Sequence, residues 1–249
     1  MTAAVQMNVK EKLIVALDVE TAGEARDIVA RLGPHVGMFK INTQLFTAAG
    51  PDFVRELTAR GTGVFLDLKY HDIPATVASA CREAVRLGVR IFNVHAAGGS
   101  EMLRLAAEAT RETAARENLK RPHLIAVTVL TSADAAVLAE TGVLADSVES
   151  QVVRLARLAE SCGLDGVVAS PHEIAPVRRA VGRADFLLVT PGVRPAGVAS
   201  DDQRRVMTPG EAVAAGADYL VVGRAILRAP DMERAAREVV GEMERASRR

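Results

Sequence analysis

Four charged residues carry the first hint of chemistry: Lys40, Asp67, Lys69 and Asp72. Asp67 and Lys69 lie two apart at the end of the apolar run that begins Val64-Phe65-Leu66. Strand side chains alternate with period two, so this carboxylate and ammonium share one face while Leu66 and Leu68 take the other. Lys40 ends another short apolar run, and Asp72 follows Lys69 by three residues. A lone charge at a strand end ordinarily meets solvent. Four that alternate in sign are different, because partly desolvated charges persist when paired and each then favours the charged form of its neighbour. Such an array is a preorganised electrostatic device, able to stabilise charge that develops during a reaction.

A second constellation lies towards the C-terminus. The run Tyr219-Leu-Val-Val222 leads into Gly223-Arg224 and a short helical stretch. Gly223 lets backbone N–H groups approach an anion closely, and Arg224 adds a charge-assisted fork. Arg194 and Gln203 sit in the Pro-, Gly- and charge-rich connection from Pro191 to Thr208. Together these residues suggest a phosphorylated ligand.

These residues need a scaffold, and the sequence supplies alternating elements. Strand candidates run over Leu13 to Asp18, Gly37 to Ile41, Val64 to Lys69, Ile91 to His95, Leu124 to Thr128, Gly166 to Ala169, Phe186 to Thr190 and Tyr219 to Val222. Amphipathic helical patterns run over Ala22 to Leu32, Asp52 to Arg60, Thr76 to Leu87, Ser100 to Asn118, Ser147 to Ser161, Ile174 to Val181, Thr208 to Ala215 and Met232 to Ala246. Gly33, Gly61, Gly88, Gly163 and Gly216 follow helical patterns, where a left-handed C′ residue is favoured. Continuously apolar strands suit a parallel sheet buried on both faces. Eight strand-helix units in 249 residues predict one (β/α)8 TIM barrel over residues 1–249, with 1–10 as an N-terminal tail. An open doubly wound sheet is disfavoured, since no glycine-rich G-x-G-x-x-G turn follows the first strand. In a barrel, the long connections Thr131 to Asp146 and Pro191 to Thr208 fall on the catalytic face and are candidate lids.

Composition narrows the partner. Lys plus Arg and Asp plus Glu both total 31, so no broad cationic surface tracks a nucleic-acid polymer. Aromatics are 3% with no Trp, which disfavours a base-stacking platform. Cys81 and Cys162 are far apart and form no C-x-x-C pair, so they read as buried free thiols in a reducing compartment. With no leader-like start and no apolar run of membrane-spanning length, a cytoplasmic, membrane-free protein is expected. His35, His123 and His172 show no metal-ligand pattern.

The string Asp67-Leu-Lys-Tyr-His-Asp-Ile-Pro-Ala-Thr76 resembles the D-x-K-x-x-D-I-P-x-T signature of the orotidine 5′-phosphate decarboxylase family. Ala16-Leu-Asp18, Phe39-Lys40, Asn93-Val-His-Ala96, Val127-Thr-Val-Leu-Thr-Ser132, Thr190-Pro-Gly-Val-Arg-Pro195 and Val221-Val-Gly-Arg224 extend the resemblance along most of the chain, each at a strand end. The resemblance implies metal-free and cofactor-free loss of CO2 from C6 of orotidine 5′-monophosphate, giving UMP. Lys69 matches the lysine that stabilises and protonates the C6 carbanion, and Asp67 the aspartate near the departing carboxylate. Lys40 and Asp72 complete the network, with Lys40 also reaching the ribose. By the same resemblance Asp18 binds the ribose and Thr131 the pyrimidine, while Gln203 bridges pyrimidine and phosphate. Arg194, Gly223 and Arg224, beside Pro191, hold the phosphate. The family is homodimeric, with Asp72, Ile73 and Thr76 serving the neighbouring subunit's site. His71 is assigned a loop or interface role, because Lys69 is an internal proton donor. His95 has the parity of Asn93 and either lines the barrel top or sits satisfied in the core.

Two rival readings remain at this level. A metal-dependent decarboxylase or synthase acting on a keto-sugar phosphate would need an acidic ligand on the second strand, where this chain has Lys40. A non-catalytic nucleotide-binding barrel would be favoured by loss of an array member, and all four are present.

Overall fold

A computed structural model describes residues 8–195 and 207–248. Its eight strands are β1 (Leu13–Ala16), β2 (Met38–Asn42), β3 (Val64–Tyr70), β4 (Ile91–His95), β5 (His123–Val127), β6 (Gly166–Val168), β7 (Leu187–Pro191) and β8 (Tyr219–Val222). They pair in parallel and in chain order, and β8 closes on β1. The helices are α1 (Ala22–Leu32), α2 (Thr43–Ala59), α3 (Pro74–Arg86), α4 (Gly99–Arg116), α5 (Ala135–Glu140), α6 (Val148–Ser161), α7 (Ile174–Ala180), α8 (Pro209–Ala214), α9 (Arg224–Leu227) and α10 (Met232–Ser247). This is the expected (β/α)8 barrel.

Strand alternation builds two apolar layers. Ile14, Met38, Phe65, Ile91, Ile125, Val189, Tyr219 and Val221 fill the barrel interior. Their neighbours along each strand, including Val15, Phe39, Leu66, Phe92 and Leu220, face the helices and join the outer core. Each such fully buried side chain contributes about 2 kcal/mol of transfer free energy. The same period carries the inward parity upwards, from Met38 to Lys40, Phe65 to Asp67, Ile91 to Asn93 and Val221 to Gly223. The apolar interior therefore gives way to polar groups at the C-terminal mouth, where barrel chemistry resides. At the opposite end, Arg121 pairs with Asp165 at 2.7 Å, Arg90 with Glu11 at 3.2 Å and Arg178 with Asp218. Charges there join the lower strand ends.

The structure departs from the sequence expectations at several boundaries. Helix α2 begins at Thr43, well before Asp52, because Asn42 caps it by accepting the Leu45 N–H at 2.8 Å. Gly50 (φ 70°, ψ 179°) and Pro51 bend that helix and interrupt the pattern that marks its second half. Gly61, Gly88, Gly163 and Gly216 have the expected positive φ. Gly33 does not: its φ is −50°, and a Cβ there would lie 2.9 Å from the Val29 carbonyl oxygen, so close packing explains the glycine. Val9–Lys12 form a 3-10 turn, so the end of the expected tail is structured. That turn lies so close beneath β2 that a Cβ on Gly37 would sit 2.3 Å from the Glu11 carbonyl oxygen. The final helix begins at Met232 as expected, capped by Asp231, whose side chain accepts the Arg234 N–H at 2.9 Å. Helix α5 lies within the Thr131 to Asp146 connection.

Candidate active site

Strands β2, β3 and β4 bring Lys40, Asp67, Lys69 and Asn93 together. Lys40 Nζ donates to Asp67 Oδ2 at 3.0 Å, and Lys69 Nζ to Asp67 Oδ1 at 2.8 Å. Asn93 Nδ2 donates to the same Oδ1 at 2.7 Å. Asp67 is only 7% exposed. Burial alone would push its carboxyl up, but the Lys40 and Lys69 charges, with hydrogen bonds from Lys69 and Asn93, outweigh it and hold the group below its ordinary value. An ionised carboxylate thus carries two ammonium groups at the mouth of a largely apolar barrel.

Lys69 reaches Asp67 through an unusual backbone. Its φ is +54°, in the left-handed region that non-glycine residues avoid, and the β3–β4 register shifts between Leu66 and Tyr70. Between these two residues β3 advances four positions against two on β4, and Tyr70 then leads into the loop that carries His71 and Asp72. Asp72 is exposed, and its Oδ1 accepts the Ile73 N–H at 2.6 Å. The structure therefore joins three of the four charges within one chain and leaves Asp72 outside the cluster. Ile73 and Thr76 are exposed beside it, Ile73 by 67%.

Two cavities adjoin at the mouth, sharing Lys40, Pro191 and Val221. One, of about 170 Å³, is polar: Asp18, Arg194, Gly223 and Arg224 line it. The other, of about 180 Å³, has Asp67 and Lys69 in a wall otherwise made by Phe65, Val127, Val129, Leu130, Val168 and Ala169, with Thr131 at its edge. The arrangement suits an elongated ligand with an anionic end in the first chamber and a flat, largely apolar end in the second, where the Lys69 ammonium can meet negative charge.

Local structure explains the polar chamber. The Val193–Met207 bridge and the Arg194 N–H, which donates to the Met207 carbonyl at 3.0 Å, fix the start of the connection after β7 and keep Arg194 buried. Gly223 packs so tightly that a Cβ would meet Asp18 Oδ2 at 2.9 Å. Asp18 Oδ1 accepts from Asn42 Nδ2 at 3.1 Å. Gln203 lies outside the described residues.

His71 and His95 form a tilted ring pair with centroids 5.5 Å apart. Burial, then the His71 and Lys69 charges, hold His95 below its ordinary value against the opposing pull of Asp67. Among the described residues, no three His, Cys, Asp or Glu side chains converge as a metal site, and no helix is long and apolar enough to cross a membrane. Both cysteines are free and buried, and burial pushes the Cys81 thiol up to about 12.

Asn42 and Asn93 are site residues to which the sequence reading gave no role. The signal for Asn93 is its parity: it follows Ile91 by two on a strand beside β3, and a polar residue there must face Asp67. Asn42 follows Lys40 by two in the same way.

Comparison with known proteins agrees with this geometry. Residues 11–239 match the model of the orotidine 5′-phosphate decarboxylase / HUMPS family. The orotidine 5′-phosphate decarboxylase of Moorella thermoacetica is 56% identical over 241 residues, covering 96% of this chain and 95% of that protein. That of Syntrophotalea carbinolica is 56% identical over 234 residues, with 94% and 95% covered. The crystal structure of orotidine 5′-phosphate decarboxylase from Lactobacillus acidophilus superposes with a TM-score of 0.82 at 37% identity, covering 93% of this chain and 98% of that one. A shared barrel, a matched length and this level of identity mean that the chain belongs to the orotidine 5′-phosphate decarboxylase / HUMPS family.

Proposed function

We propose that the protein decarboxylates orotidine 5′-monophosphate to UMP and CO2 in pyrimidine biosynthesis, without metal or cofactor, as one barrel domain spanning residues 1–249. The observation that carries this reading is the Lys40–Asp67–Lys69 cluster at the junction of a polar, arginine-lined chamber and a largely apolar one. Loss of CO2 from C6 leaves an electron pair in the plane of the pyrimidine ring. Lys69 stabilises that pair and donates the proton that makes the C6–H bond of UMP. Asp67 orients Lys69 and lies near the departing carboxylate, and Lys40 bridges Asp67 to the ribose. Asp18 binds the ribose, Thr131 the pyrimidine, and Arg194, Gly223 and Arg224, with Pro191 alongside, the phosphate. Gln203 is assigned the bridge between pyrimidine and phosphate. Phosphate binding far from C6 is then available to favour closure over the reacting bond.

The alternative keto-sugar-phosphate chemistry requires a divalent ion at the same carboxylate. Both Asp67 oxygens already accept from ammonium groups, so a cation would have to displace them. Purified protein in EDTA is expected to consume orotidine 5′-monophosphate, followed by loss of its absorbance. Orotidine without the phosphate is expected to react at least roughly 10²-fold less efficiently, since one or two buried charged hydrogen bonds are lost. Turnover only after Mg2+ is restored would contradict the metal-free reading.

The reading also makes the protein a cytoplasmic homodimer in which Asp72, Ile73 and Thr76 serve the neighbouring site. Its support is the exposure of Ile73 (67%), Leu130 (45%) and Leu144 (89%), large apolar residues on connections at the mouth. Mixing Lys69→Ala with Asp72→Asn protein is expected to restore about a quarter of wild-type activity, because half the two-fold dimers are hybrids and each holds one intact site. No recovery, with hybrids shown to form, would refute the shared site.

A further inference from the structure

The carboxamide of Asn93 makes two directional bonds, each to a different member of the cluster. Its Oδ1 accepts the Lys69 backbone N–H at 2.8 Å, and its Nδ2 donates to Asp67 Oδ1 at 2.7 Å. Lys69 Nζ returns to that same oxygen at 2.8 Å, closing a circuit through Lys69, Asn93 and Asp67. Asn93 is fully buried, on a strand hydrogen-bonded to both neighbours. We propose that Asn93 is a positioning residue for the decarboxylation, clamping the left-handed backbone of Lys69 and fixing the rotation of the Asp67 carboxylate. This rests on the decarboxylase reading above.

The physical argument is one of compensation. A left-handed conformation costs an L-residue about 1–2 kcal/mol, so it persists where surrounding contacts enforce it. At Lys69 the bond from its N–H to Asn93 on the adjoining strand supplies that enforcement. Relaxation to extended backbone would leave both side chains on one face but redirect the Lys69 Cα–Cβ bond, and so change the distance and angle at which its ammonium meets Asp67 Oδ1. The second bond acts on Asp67: with Oδ1 held by Asn93 and Lys69, Oδ2 faces Lys40. An apolar side chain of similar size would fill the space yet leave a buried N–H and a carboxylate oxygen each short of a partner.

Two variants test the clamp. Asn93→Ala is expected to lower kcat about 10²-fold, as for a misplacement of roughly 1 Å, with UMP affinity within about threefold of wild type. Asn93→Asp preserves shape but sets a second carboxyl against Asp67, with Lys40, Lys69 and His95 as the nearby titratable groups. The pair titrates in two steps: the first carboxylate raises the pKa of the second, so the shared proton that restores the donor is held at low pH and is lost as pH rises and both groups ionise. Its kcat is expected to be roughly 10²-fold low at pH 8 and to recover about tenfold towards pH 6, a step missing from the wild-type profile. Folded Asn93→Ala with kcat within threefold of wild type, or an Asn93→Asp profile parallel to wild type, would overturn the proposal. Amide hydrogen exchange at Lys69 reads the clamp without substrate: exchange at least about tenfold faster in Asn93→Ala, which loses the acceptor, supports it, and unchanged exchange in that variant overturns it. Failure of the parent reading is distinct, since it would show as wild-type protein inert towards orotidine 5′-monophosphate.

Discussion

Lys69→Ala is expected to remove detectable decarboxylation while leaving UMP bound at close to wild-type affinity. The size follows from two roles held by one atom. An oriented charge facing a developing anion is worth roughly 10²–10³ in rate, and a positioned proton donor roughly 10²–10⁴, so their joint loss lowers kcat by at least roughly 10⁴-fold. Binding is spared because the ammonium meets its full electrostatic demand once the C6 electron pair forms, whereas UMP already carries hydrogen at C6. The nucleotide retains the polar chamber lined by Asp18, Arg194, Gly223 and Arg224, to which Lys69 does not contribute. Single-turnover assays at saturating substrate, paired with calorimetric titration of UMP, separate the two quantities. A variant with kcat within tenfold of wild type would remove Lys69 from the chemistry. A parallel collapse of UMP affinity would make it a binding residue instead.

How much of this site could be read from the residues depended on which physical rule governed each one. Period-two alternation needs no tertiary information, so the shared face of Asp67 and Lys69 was legible, as were the strand cores and the barrel they imply. The bulge was not. It arises from register between β3 and β4, and nothing local to Leu68-Lys69-Tyr70 announces a left-handed lysine. Asn93 is only partly legible for a related reason: its parity places it on an inward face, but its two bonds exist because separate strands meet. Charge alternation suggested one array of four, but the loop after β3 turns Asp72 outward, which alternation along a strand has no means to foresee. Helix α2 shows the same limit, since only the half beyond the Gly50-Pro51 bend is legible as a helical pattern in the sequence.

Asp67→Asn is the second large effect, and it reaches both rate and stability. An asparagine offers one carbonyl oxygen and one NH2 where the wild type offers two acceptors to three donors: Lys40, Lys69 and Asn93. Whichever way the amide turns, its NH2 faces an existing donor, and at least one ammonium loses its partner. With the carboxylate's charge gone and one ammonium unpartnered, kcat is expected to fall about 10³-fold, at the upper end for losing one preorganised group. Breaking a fully buried ion pair costs about 3–5 kcal/mol, and because the Lys69 side chain is a third exposed a smaller loss of about 2 kcal/mol is expected near pH 7. The pH dependence has a definite sign. The folded-state carboxyl titrates below its ordinary value of 3.8, so its stabilisation is fully present above that value and is lost as pH falls through the lower, folded one. Asp67→Asn has no such group. The difference in denaturation midpoint between wild type and variant is therefore expected to be full at pH 7 and to shrink as the medium becomes more acidic than 3.8. A difference that stays constant through that acid range would mean that the lysines do not stabilise the Asp67 carboxylate in the folded protein.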